Sequence, residues 1–256
     1  MAQSDDDEAS ASLDIFQEPA SFFPPEKPPT FVNYTLQNGD ELRLRLVGHS
    51  PLWGHLLWNA GQVVAKYLED NVEQLVRNRT VLELGAGSGL PSLVAAILGA
   101  RKVVVTDYPD QELIVNLRYN IEHCSMLENK STIVAEGYLW GSTPDSLKSH
   151  VDPGSEGFDL LILADIVFNH SEHTKLLRTV RECLKRSADS VALVFFTPYR
   201  PWLLDKDLNF FELARADGFV VKKLSEQIMD KVMFENDPGD EILRKTVFGY
   251  RVEWQL

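Results

Sequence analysis

The stretch Thr80-Val81-Leu82-Glu83-Leu84-Gly85-Ala86-Gly87-Ser88-Gly89-Leu90-Pro91 constrains this chain more than any other. It opens as a buried strand, apolar at Val81, Leu82 and Leu84 around a single carboxylate, and then turns glycine-rich. Beyond Leu90, the residues Leu93, Val94, Ile97 and Leu98 recur at helical spacing. Strand, glycine turn and helix together open a βαβ unit of the nucleotide-binding kind. The third glycine of a G-x-G-x-x-G fingerprint would fall on Leu90. Glu83, two residues before the first glycine, would also repel a pyrophosphate. The turn therefore suits a ligand that carries an ammonium group and no phosphates.

A second apolar strand, Val103-Val104-Val105-Thr106, ends in Asp107 and Tyr108. A carboxylate at that place accepts hydrogen bonds from both hydroxyls of a ribose. Acidic strand tips on either side of a glycine turn, with the core E-x-G-x-G-x-G, resemble the class I S-adenosylmethionine (SAM) methyltransferases. The resemblance runs from about residue 45 to residue 256 in the order and type of elements. It implies an α/β fold: a Rossmann-like, seven-stranded methyltransferase sheet flanked by helices, here with an N-terminal extension and a hairpin. It also implies SAM as cofactor, held in part by Glu83, Gly85, Ala86, Gly87, Asp107 and Tyr108.

Composition narrows the function classes. The chain has 256 residues, 44% of them hydrophobic, and can bury a full core. No apolar run approaches the roughly 18 residues that span a bilayer, and the acidic start lacks the pattern of a signal peptide. Cys124 and Cys183 sit in helical patterns without metal or redox spacing, which suits reduced thiols in a cytoplasmic protein. The net charge of −13 argues against a nucleic-acid partner, and favours a basic one. No metal site is expected, and the protein is expected to act as a monomer.

Residues 1–30 read as a flexible, acidic, proline-rich strap, and residues 31–256 as the methyltransferase domain. The run Ser4-Asp5-Asp6-Asp7-Glu8 has the composition of disorder. Leu13, Ile15, Phe16, Phe22 and Phe23, set among prolines, instead suit an extended segment docked on the domain, with partner binding as the sharper alternative. Phe31 to Val47 reads as a hairpin with a two-residue turn at Asn38-Gly39, its leucines packed down and Arg43 and Arg45 facing water.

The segment Ser50 to Gly61 places Trp53 and Trp58 where they can wall a cofactor pocket or anchor a helix that runs from about Gln62 to Glu69. Trp58-Asn59-Ala60-Gly61 is similar to the tryptophan stretch of the seven-strand lysine methyltransferases, whose tryptophan lines the SAM pocket. A helix over residues 110–123 is capped by Asp110, with Asn116 and Asn120 assigned to solvent or helix packing. Trp140, after the third strand, either stacks on an adenine or belongs to the core.

Phe158 to Ala164 reads as a fourth strand, buried on both faces. It delivers Asp165-Ile166-Val167-Phe168-Asn169-His170 to the carboxyl edge of the sheet, where ligands bind. Ala164 is expected beside the cofactor. Asp165 and Asn169 are the candidate catalytic residues, accepting hydrogen bonds from an incoming amine and aiming its lone pair. His170 is read either as a proton acceptor or as a capping or surface histidine. The wider family has D-x-x-Y here, and Phe168 lacks that hydroxyl.

This loop, with Pro51-Leu52-Trp53-Gly54-His55 and Glu136-Gly137-Tyr138-Leu139-Trp140-Gly141, resembles a narrower fungal branch. That branch methylates the N-terminal α-amine and the adjacent lysine of translation elongation factor 1-alpha, and was earlier labelled nicotinamide N-methyltransferase. Ile15-Phe16-Gln17-Glu18-Pro19 shares the resemblance. Two other readings stand beside it: a small-molecule amine methyltransferase, with a closed pocket, and a SAM-binding partner protein without turnover. The last two strands are expected at Phe219–Leu224 and Val247–Trp254 as a hairpin-like edge, with the acidic loop Glu235–Glu241 between them placed to draw in a basic peptide.

Overall fold

The structure, a computed structural model, describes residues 27–256 except His49 and Leu52. The expected N-terminal strap therefore lies, up to Glu26, outside the described residues. Strands β1 (Thr30–Thr35) and β2 (Glu41–Leu46) pair as an antiparallel hairpin. There follow α1 (Asn59–Asp70), β3 (Thr80–Leu84), α2 (Leu90–Ile97), β4 (Lys102–Asp107) and α3 (Gln111–His123). Next come β5 (Ile133–Gly137), the short α4 (Asp145–Lys148), β6 (Leu160–Ala164), α5 (His173–Cys183) and β7 (Val191–Phe196). The chain closes with α6 (Leu204–Ala216), β8 (Phe219–Ile228), the short α7 (Glu241–Arg244) and β9 (Thr246–Trp254).

Seven strands form one sheet in the order β5-β4-β3-β6-β7-β9-β8. The first five are parallel, and β9 is antiparallel to both of its neighbours. From β3 the chain steps outward through β4 to β5, then crosses back to place β6 against the other side of β3. The reversal opens a crevice off the carboxyl ends of β3 and β6, where an open α/β sheet holds its ligand.

The strands are nearly continuous runs of apolar residues because helices cover both faces. Alternation then decides which core each side chain joins. Val81, Val103, Val105 and Ile162 pack with α1, α2 and α3. Leu82, Leu84, Val104, Leu161 and Leu163 pack with α5 and α6. Glu83 shares the parity of Val81, so its carboxylate is delivered to the face that α2 covers.

The structure differs from the reading of the sequence at the β1–β2 turn and in the length of β8. The β1–β2 connection is a three-residue loop: Thr35 pairs with Glu41, Leu36 N–H donates to Asp40 O, and Gly39 takes the left-handed conformation at φ 91°. A two-residue turn at Asn38-Gly39 would shift this register and turn the buried Leu42, Leu44 and Leu46 outward. At the other end β8 and β9 pair antiparallel as the expected hairpin-like edge, with β9 against β7 and β8 outermost. Exposed Lys222, Lys223, Glu226 and Gln227 suit β8 to that edge and let it run on to Ile228.

Asn116 and Asn120 are buried, so of the two roles assigned to them packing holds and solvent does not. Asn120 Oδ1 accepts from Arg45 N–H (2.8 Å), and its Nδ2 donates to Arg45 O and Ser88 O (both 2.9 Å). One amide thus ties the hairpin, α3 and the glycine turn together. The arginines of the hairpin do not simply face water: Arg43 lies over the Phe31 ring and Arg45 over Tyr119. Both cysteines are buried free thiols. No helix among the described residues is long and apolar enough to cross a membrane.

Replacing Asn120 with leucine strips this partner from Arg45 N–H and Ser88 O, while Arg45 O keeps Asn116 Nδ2 (2.9 Å). Each buried polar group left unpaired costs about 1–3 kcal/mol. Urea unfolding of Asn120→Leu is expected to show a loss of about 2 kcal/mol or more; unchanged stability would contradict the tie.

Candidate active site

A cavity of about 290 Å3 lies off the carboxyl ends of β3, β4, β5 and β6. It is the size of site that takes a nucleoside-like ligand. The glycine turn contributes Glu83, Gly85, Ala86 and Gly87, and the end of β4 contributes Asp107 and Tyr108. Trp140 stands beyond β5, and Ala164, Asp165 and Asn169 follow β6. Trp53 and Trp58 close the remaining side. All twelve residues singled out from the sequence line this one space.

At the glycine turn the carboxylates are held by backbone donors. Glu83 Oε2 accepts from Ser92 N–H (2.9 Å) and from the Ser92 hydroxyl, in the first turn of α2. Glu83 is only 1% exposed. Burial outweighs those two hydrogen bonds and pushes its carboxyl up to about 8. Asp107 Oδ2 accepts from Gly87 N–H (2.6 Å) and Oδ1 from Tyr108 N–H (2.7 Å), and burial raises its pKa as well. Each Asp107 oxygen keeps a further lone pair for a ligand hydroxyl. Gly85 has φ 65°, and a Cβ there would stand 2.8 Å from Ile166 and 3.3 Å from the Trp140 ring. Only glycine lets these two walls meet.

The loop after β6 is built around Asp165. It adopts φ 53°, rare for a residue with a side chain and costing about 1–3 kcal/mol. The surroundings impose that conformation: Asp165 N–H donates to Phe195 O (2.8 Å), Oδ1 accepts from Thr197 N–H (2.7 Å), and Oδ2 accepts from Ala60 N–H (2.9 Å). Tyr199 also donates its hydroxyl to Oδ2 (3.2 Å). Burial raises the Asp165 carboxyl to about 7 against these donors. Trp58 is the N-cap residue of α1, so the same carboxylate that receives Ala60 N–H also locates Trp58.

His170 does not enter this cavity. Its Nε2 bonds Asp207 Oδ1 (2.6 Å) on α6, which leaves the structural reading of that histidine. The same backing holds the loop from behind, through His173 Nε2 to Val167 O (2.7 Å) and Arg200 Nη2–H to Phe168 O (2.9 Å). The cavity also has Phe168, Tyr138 and Glu172 in its lining.

Two residues that the sequence reading passed over complete the tryptophan side. Tyr199 stands edge-on to Trp58 at 5.0 Å, and Phe234 lies within 6.3 Å of Trp53, Trp58 and Tyr199. Tyr199 has a signal in the sequence, since it follows the end of a central strand. Phe234 has none. The β8–β9 connection carries it there, and Arg244 Nη1–H donates to Phe234 O (2.7 Å) to hold it.

Among the described residues no lysine or arginine forms an ion pair with Glu83, Asp107 or Asp165. Three carboxylates around one largely apolar cavity, each held only by neutral donors, favour cationic ligands. The donor set fits SAM: Glu83 for an ammonium, Asp107 for ribose hydroxyls and Trp140 for a flat base. No group of acidic, histidine or cysteine side chains among the described residues has the arrangement of a metal site.

A sequence profile of the lysine methyltransferase family matches residues 37–216. The chain is 50% identical over 242 residues to the protein N-terminal and lysine N-methyltransferase efm7 of Aspergillus fumigatus, covering 94% of this chain and 93% of that one. It is 45% identical to the protein of the same name from Schizosaccharomyces pombe, over 93% and 94% of the two chains. Among solved structures it is similar to YcgJ of Bacillus subtilis (TM-score 0.55, 13% identity, 75% of this chain and 98% of that one). A putative transferase of Pyrococcus horikoshii is similar too (TM-score 0.54, 18% identity, 88% and 73%). At those identities the structures speak for the fold alone.

The Glu83 carboxyl, at about 8, holds a proton at pH 7 in the unliganded protein. The unfolded chain gives that proton up near 4.5, so unliganded stability is expected to fall as pH rises from about 4.5 to 8. An ammonium placed beside Glu83 favours the charged form, so binding should release a proton and tighten as pH approaches 8. Calorimetry of S-adenosylhomocysteine binding at pH 7, in buffers of different ionisation enthalpy, is expected to show this release. Glu83→Gln should abolish it.

Proposed function

The chain belongs to the lysine methyltransferase family, among the protein N-terminal and lysine N-methyltransferases, and from that premise we propose that its substrate is translation elongation factor 1-alpha. On this reading it methylates the α-amine of the factor's first residue and the adjacent lysine, as a monomer in the cytoplasm. The cofactor is SAM, which supplies a methyl group already activated on a sulfonium.

The observation that carries the reading is the pairing of two kinds of acid in one cavity. Glu83 and Asp107 flank the glycine turn at one end, and Asp165 with Asn169 stands at the other. We assign cofactor binding to Trp53, Trp58, Glu83, Gly85, Ala86, Gly87, Asp107, Tyr108, Trp140 and Ala164. Asp165 and Asn169 are assigned to the acceptor amine, which they hold by its hydrogens so that its lone pair faces inward. Such an arrangement speeds the reaction by position and by excluding water. Phe168 offers no hydrogen bond and keeps the reacting end apolar.

Amine chemistry and the acidity of the site agree. An α-amine has a reference pKa of about 8 and a lysine about 10.4, so the α-amine sheds its proton more readily near neutrality. Asp165, at about 7, ionises in the same range and then both attracts the ammonium and tolerates its growing methylated head. The rim suits a polypeptide better than a small amine. Trp53, Tyr108, Leu139 and Phe168 line the cavity and are 42–50% exposed, so the mouth is broad among the described residues.

Incubation with radiolabelled SAM and, separately, elongation factor 1-alpha or nicotinamide tests the substrate. Label mapped by mass spectrometry to the factor's first residues is expected; label on nicotinamide alone would overturn the assignment. Asp165→Ala is expected to lower kcat/KM by about 100-fold or more. Full turnover with unchanged KM would remove Asp165 from its role.

A further inference from the structure

The wider D-x-x-Y tetrad carries its hydroxyl three residues after the aspartate, and here that place is Phe168. The structure nonetheless brings a phenol to the same carboxylate from another element. Tyr199, just past the end of β7, donates to Asp165 Oδ2 at 3.2 Å. Resting on the methyltransferase reading above, we propose that Tyr199 is a positioning residue for methyl transfer, which keeps Asp165 ionised and aimed at the acceptor amine in place of the missing tyrosine.

Three facts single out Tyr199. Of the groups that donate to the Asp165 carboxylate, Ala60 and Thr197 use backbone amides. Tyr199 donates through a phenol hydroxyl, a group that a substitution can remove while the ring stays in place. Its hydroxyl also lies 3.1 Å from Met233 Sδ, a far weaker acceptor, which leaves the carboxylate as the dominant partner. Its ring packs in a cluster with Trp58 and Phe234, at 5.0 and 5.8 Å, and this packing holds the phenol oxygen beside the carboxylate.

The electrostatics follow from the surroundings. Asp165 is packed against the start of α1, the segment after β7 and the glycine-turn side of the cavity. From the first comes an amide, and from the second an amide, the Tyr199 phenol and the Thr197 side chain. On the cavity side the titratable groups are Glu83, Asp107, Tyr108, Tyr138 and Glu172, all neutral or anionic. Among the described residues no lysine or arginine forms an ion pair with the carboxylate, so neutral hydrogen bonds favour its charged form. A hydrogen bond donated to a carboxylate stabilises that form. Burial raises the Tyr199 phenol well above its ordinary value, as does the nearby Asp165 carboxylate, so the phenol stays a donor throughout the working range.

The experiment uses Tyr199→Phe, which keeps the ring and its packing and removes only the hydroxyl. Asp165 should then require a higher pH to ionise. Its carboxyl titration, followed by 13C NMR in unliganded protein with labelled aspartate and assigned through Asp165→Asn, should move up by about one pH unit. The acid limb of kcat/KM should move by the same amount, with the largest loss of activity below pH 7. In an Asp165→Asn background, Tyr199→Phe should have no additional effect on kcat/KM. An unmoved titration midpoint, or an equal loss in the Asp165→Asn background, overturns the proposal, even if the variant melts at a lower temperature. A shifted midpoint without methyl transfer to elongation factor 1-alpha would sink the substrate assignment and still support the coupling of Tyr199 to Asp165.

Discussion

Asp165 gathers its donors from two other parts of the chain, and the site depends on that convergence. Ala60 N–H comes from the start of α1, while Thr197 N–H and the Tyr199 hydroxyl come from the segment after β7. The residue itself follows β6 and sits in a left-handed conformation that few side chains tolerate. A carboxylate can hold such a strained position because it accepts several hydrogen bonds at once. The same bonds place Trp58 and orient the loop that carries Phe168 and Asn169. Removing this one acid would therefore loosen both the tryptophan wall and the loop after β6.

The glycine turn repeats the device on a smaller scale. Glu83 holds the first turn of α2, and Asp107 holds the glycine turn itself through Gly87 N–H. In both cases the acid is satisfied by neutral donors and lacks a cationic side chain. The cost is a raised pKa, seen at Glu83, Asp107 and Asp165 alike. A cationic ligand relieves that cost, so stability and binding are coupled through the same carboxylates. Such perturbed acids cluster where a site must meet charge.

Much of this was legible in the chain because it is local. The run Val81-Leu82-Glu83-Leu84 alternates its side chains between two covered faces, and Gly85 and Gly89 adopt positive φ where neighbouring side chains approach. Asp107 and Asp165 stand at the ends of strands whose apolar runs already mark them as central. Hairpin register was less legible. Asn38-Gly39 suggests a two-residue turn, and the buried leucines of β2 require a three-residue loop instead. The place of β9 between β7 and β8 depends on pairing across a long connection, which no periodicity reports.

By itself the sequence determined the βαβ opening and the strand-end carboxylates, since each follows from neighbours a few residues apart, and it left the tryptophans open between cavity wall and packing. Only the tertiary structure decided which groups complete them. It brought the Tyr199 hydroxyl to Asp165, turned His170 toward Asp207, buried Asn120 between hairpin and glycine turn, and folded Phe234 onto Trp53 and Trp58. These contacts join residues tens of positions apart. They depend on sheet order and on satisfying buried polar groups, and neither constraint exists until the chain has folded.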